Sequence, residues 1–218
     1  MKIGTTRVET FSDGVMAIVI TIMVLELKIP DFAEKGSEAS IRHHLVEILP
    51  YLVTYTFSFL MIGIFWINHH HMFHLLEHTD EPLLIQNLFF LFWLSLIPFS
   101  TAFVGADPLI PEAVAVYGFI MLMSTLSFSI MRAYSIRKQL VHHDEDQKTT
   151  SRIYKVSMRG RTKSYIGTLA YLLSVPLAFV NVYLSFACFV ITPLLFFVPD
   201  GIDDEKLAER IADKNEGV

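Results

Sequence analysis

The chain has 218 residues, 53% of them hydrophobic, with a mean hydropathy of +0.48 and a formal net charge of −5. A soluble domain of this length would expose too much apolar surface to stay dispersed, so the composition points to the membrane. The single cysteine, Cys188, excludes an intrachain disulfide and a cysteine-built metal site.

Apolar stretches of about 17 to 25 residues cross the hydrocarbon core as helices. The first runs from Ser12 to Leu27. The stretch after Val24 reads Leu25, Glu26, Leu27, Lys28, which is no small-residue cleavage site, so this segment is expected to be retained and not removed as a signal peptide. Further spans follow at Leu49 to Ile67, Leu83 to Gly105 and Pro111 to Met131, before a long run from Tyr165 to Val198. One helix over that run would be about 50 Å long, against a hydrocarbon core of about 30 Å. It is expected to fold back at a tight turn around Asn181 to Tyr183, beside the only strongly polar side chain near its middle.

These patterns predict an all-α integral membrane protein of six transmembrane helices. An even number of crossings puts both termini on one side. Lys2 and Arg7 precede the first helix, nine basic residues from Arg132 to Lys163 occupy the link between the fourth and fifth, and Lys206, Arg210 and Lys214 follow the sixth. The other side receives only Lys28, Lys35 and Arg42, so the positive-inside rule makes both termini cytoplasmic. Residues 1–199 are expected to form one membrane unit and 200–218 a charged cytoplasmic tail. No Walker loop, zincin helix or dinucleotide fingerprint is present, which argues against an enzyme. Neither a cofactor nor a nucleic-acid partner is expected.

The polar residues opening the first span are costly at membrane depth and call for partners in protein or water. Arg7 and Asp13, six residues apart, lie on different faces of a helix, so other helices are the expected partners, with Asn68, His69 and Ser100 as candidates. Further along, Ile18, Thr21, Ile22 and Leu25 follow the i, i+3, i+4, i+7 spacing and form one stripe. In a membrane helix such a stripe serves packing more often than a pore.

The string from Arg7 to Glu26, RVETFSDGVMAIVITIMVLE, resembles the signature of the transmembrane protein 175 family of endolysosomal and bacterial potassium channels, in which RxxxFSD opens the first helix of each six-helix unit. The match includes Arg7, Phe11, Ser12, Asp13, Gly14, Ile18, Thr21 and Leu25. A single unit resembles the prokaryotic branch. The resemblance implies a potassium-permeable cation channel, assembled as a homotetramer in lipid of a prokaryotic inner membrane, without a P-loop filter. It further implies that Ile18, Thr21, Ile22 and Leu25 line and gate the pore, with Ile18 as the constriction, while Arg7, Phe11, Ser12 and Asp13 anchor the helix. A modest preference for potassium is expected, with calcium excluded.

His69, His70, His71, His74 and His78 cluster at the end of the second span. The i, i+4 spacing of His70, His74 and His78 would place three imidazoles on one helix face, yet no carboxylate accompanies them, and no dedicated metal site is expected. Two competing readings remain: a secondary transporter or divalent-metal exporter using His69 to His78, and a membrane scaffold without transport.

Overall fold

A computed structural model of the chain describes residues 4–27, 38–138, 140 and 147–196. Lys2, Lys28, Lys35 and the tail from Asp200, including Lys206, Arg210 and Lys214, lie outside the described residues. Within them, all extended elements are helical.

Helix α1 spans Thr5–Ile22 and continues as a 3₁₀ turn over Met23–Glu26. It begins about two turns before Ser12, because Arg7 to Asp13 need not stop a helix whose polar side chains meet neighbours or water. Neither Ser12 nor Asp13 is therefore an N-cap; that position belongs to Gly4. Helix α2, Glu38–His74, includes an apolar span from Ile48. It ends at His74, where Leu75 and Leu76 turn the chain by bonding back to the Met72 and Phe73 carbonyls.

Asp80 caps α3, Glu81–Ser95, by accepting from the Leu83 amide at 3.1 Å, and Pro82 fits the first turn where no amide is needed. Leu96 alone separates α3 from α4, Ile97–Ala106. Pro98 explains the break, since it has no amide to continue the helical ladder. Only one residue leaves the helix, so the third span is bent and not unwound.

Helix α5, Pro111–Arg137, is the most buried span and packs against α3, α4, α6 and α7. Its serines and threonines spend their hydroxyls on the preceding turn: Ser124 on Ile120, Thr125 on Met121, Ser129 on Thr125. This lets small polar residues line a tight helix interface without unsatisfied donors. Helix α6 spans Gln147–Val180, and the basic residues from Lys148 to Lys163 are thus on a helix, not in a loop. No proline interrupts 147–163, so the helix runs on past its apolar part, which starts at Gly160.

Asn181 breaks the long apolar run, and its side chain accepts from the Tyr183 amide at 2.9 Å. Helix α7, Val182–Phe196, then returns along α6. The Ser185 hydroxyl donates to the Ser174 carbonyl at 2.9 Å, and Thr192 lies against Gly167. Residue numbers rising on one helix as they fall on the other define an antiparallel hairpin. Among the described residues, five spans are long and apolar enough to cross a bilayer, and a sixth, Val182–Leu195, is apolar but shorter.

Candidate functional site around helix α1

Helix α1 has two unlike faces. Val8, Ser12, Met16 and Val19 of α1 and Met23 of the 3₁₀ turn are all at most 8% exposed, α1 packing against α2 and α3 and the turn against α2 and α4. Opposite them, Arg7, Phe11, Gly14, Ile18, Thr21 and Leu25 recur at alternating steps of four and three and are all uncovered. Ile18 is 59% exposed and Leu25 75%. Ile22 is 44% exposed beside them.

The stripe is not straight. Leu25 lies in the 3₁₀ turn, where side chains three apart eclipse, so it stacks above Ile22 more nearly than above Ile18. Thr21 donates its hydroxyl hydrogen to the Ile18 carbonyl at 2.9 Å, which leaves its oxygen lone pairs on the open face.

On the covered face a buried hydrogen-bonded series crosses three helices. The Ser12 hydroxyl donates to the Val8 carbonyl at 2.8 Å and accepts from Asn87 Nδ2 of α3 at 2.8 Å. Asn87 Oδ1 faces His69 Nε2 of α2 at 2.9 Å, so Nε2 carries the proton. The His69 ring is stacked between Phe73 and Phe90, with ring centroids at 4.3 and 6.0 Å. His69 thus reaches α1 through Asn87, a residue that sequence reasoning passed over. A lone amide inside the apolar stretch LLIQNLFFLFW was the available signal, since intramembrane polar groups mark sites by default.

A second set lies nearer the surface. The Trp66 indole donates to Asp13 Oδ1 at 2.9 Å. Its ring stacks with that of His70, whose Nδ1 is 2.8 Å from Glu9 Oε1. Trp66 and Glu9 are also partners that sequence reasoning missed. Arg7 is exposed and makes no hydrogen bond or ion pair among the described residues.

The other candidates bond elsewhere. Asn68 donates to the Ile64 carbonyl and accepts from the buried Arg132 guanidinium of α5, which also reaches Ser164 of α6. Gly160 makes room for that guanidinium: a methyl there would lie 3.0 Å from its central carbon. Ser100 donates to the Ile97 carbonyl of its own helix. His78 does not share a helix face with His70 and His74, because α2 ends at His74. Among the described residues, no group of three histidine, cysteine or acidic side chains is placed to hold a metal.

The family model for the endosomal/lysosomal potassium channel TMEM175 matches residues 7–98. A potassium channel of a Chryseobacterium species is 36% identical over 204 residues, covering 94% of this chain and 98% of that protein. The chain belongs to the TMEM175 family. The crystal structure of a lysosomal potassium-selective channel TMEM175 homolog from Chamaesiphon minutus superposes with a TM-score of 0.69 at 26% identity, over 90% of this chain and 98% of that one. The endosomal/lysosomal proton channel TMEM175 of Danio rerio is 36% identical over 108 residues, covering 47% of this chain and 19% of that protein. The TMEM175 match over 7–98 includes Glu9, Ser12, Asp13, Trp66, His69, His70 and Asn87, so both hydrogen-bonded sets fall inside it. Arg132 and Ser164 fall outside.

Proposed function

We propose that this TMEM175 protein is a subunit of a potassium-permeable cation channel whose pore is lined by helix α1. One observation carries the reading: α1 commits one face to its own subunit and leaves Ile18, Thr21, Ile22 and Leu25 uncovered on the other. Four copies around an axis would turn that stripe into stacked rings.

Branched apolar rings at Ile18 and Leu25 close a narrow pore by dewetting, and an ion that passes sheds part of its hydration. That loss is smaller for potassium than for sodium. Thr21 oxygens, left open by their intrahelical hydrogen bond, replace some of the lost water. With no TVGYG sequence to supply carbonyl rings, selectivity rests on these side chains and is modest. Ser12 and Asp13 hold α1 at a fixed distance from α2 and α3, while Arg7 and Phe11 face neighbouring copies or lipid. We place both termini on the cytoplasmic side of a prokaryotic inner membrane, with 1–199 as the channel unit and 200–218 as the tail.

Reversal potentials of the reconstituted protein test this. With potassium on one side and sodium on the other, the potential is expected to move toward the potassium equilibrium value. A reversal that follows an imposed proton gradient and ignores potassium would overturn the proposal.

A further inference from the structure

Away from α1, a cavity of about 440 Å³ opens between α2, α4, α5 and α7. Val104, Tyr117 and Phe189 form its floor and are at most 3% exposed. Leu49, Val53 and Val190 form its mouth and are 46% to 59% exposed. Two wall residues carry hydroxyls, and both are engaged: Thr54 donates to the Pro50 carbonyl at 2.9 Å, and Tyr117 pairs with Ser58 at 2.9 Å. Neither oxygen presents surface to the cavity, whose lining is wholly apolar, and water needs roughly two to four polar partners to occupy a cavity.

The position of the cavity selects its occupant. Leu49 and Val53 belong to the first turns of the apolar span of α2, and Pro108 lies in the link between α4 and α5, so the cavity sits in one leaflet near its interface. Leu52, next to Val53 on α2, and Leu194, one turn beyond Val190 on α7, are exposed apolar side chains as well, so the mouth faces hydrocarbon. Its volume is about three times that of the roughly 150 Å³ dry cavity that accommodates a benzene. This suits an extended hydrocarbon chain. We infer that the cavity holds an acyl chain of a bilayer phospholipid, inserted between α2 and α7, with its headgroup at the interface beside Leu49 and Pro108. The chain then fills the space between α2 and the α5–α7 pair and becomes part of the packing of this end of the bundle.

Phosphatidylglycerol with a photoactivatable diazirine on its acyl chain, in vesicles with the reconstituted protein, tests the assignment. After illumination and peptide mapping, adducts on Val53 and Val190 should exceed those on Phe92 and Leu172 several-fold, although the latter are each 53% exposed. Val53→Phe combined with Val190→Phe should reduce labelling of the neighbouring lining residues to the level at Phe92. Equal labelling of all four positions in the unmodified protein would overturn the inference. So would efficient disulfide formation between copies in a Val53→Cys protein, which would make the mouth a subunit interface.

Discussion

Asn87 stands between two side chains that no sequence spacing connects, donating to Ser12 of α1 and accepting from His69 of α2. Its replacement by leucine leaves the His69 Nε2 proton without its acceptor and strips Ser12 of its interhelical donor in a buried site, where interhelical hydrogen bonds in membranes are worth about 1–2 kcal/mol at most and often less. Asn87→Leu should therefore lower the thermal unfolding midpoint in detergent clearly. Asp13→Ala should lower it less, because the bond from Trp66 is exposed to solvent. At the same scale, Ile18→Asn exchanges an uncovered apolar side chain for a hydrated one. Subunit stability and assembly should be unchanged, while potassium flux into vesicles rises as the barrier to wetting falls.

Helices make contact here through small residues, and their substitution reports on the crossings. A methyl at Gly105 would lie 2.7 Å from the Tyr51 ring and 3.3 Å from its Cα, so Gly105→Ala must push α4 away from α2. Overpacking of this kind costs about 1–3 kcal/mol. Gly63→Ala, with nothing within 4 Å, is the control and should leave the midpoint unmoved. The number of spans and the turn at Asn181 could be read from apolar run lengths, because bilayer thickness limits them, whereas the break between α3 and α4 could not. Nor could helix ends. Nothing in the sequence marks where α1 leaves the membrane while remaining helical, so Thr5 as its starting point depends on where polar side chains find neighbours or water. The Arg7 to Asp13 motif was visible, but its partners were not: Trp66 looks like any interfacial tryptophan until α1 and α2 are placed side by side.

At the scale of the whole molecule, the described residues form five spans and a shorter sixth, and the first helix is only half covered. A pore built on the open face of α1 requires several copies of the chain. The purified protein in mild detergent should have a protein mass of four chains, and a monomer that conducts would contradict the shared pore. The face itself could be read as a stripe of apolar residues, whereas its exposure could not, because an identical stripe could have packed against α2. The most direct test of the central claim is thiol modification in a Cys188→Ala background, with cysteine placed in turn at Ile18, Thr21 and Phe92. Phe92 provides the comparison, being exposed on α3 and not on α1. A charged, water-soluble thiol reagent should block potassium current through the Ile18→Cys and Thr21→Cys proteins and leave Phe92→Cys unaffected. Uninterrupted current through both α1 variants, with modification of the cysteines verified by mass, would contradict that claim.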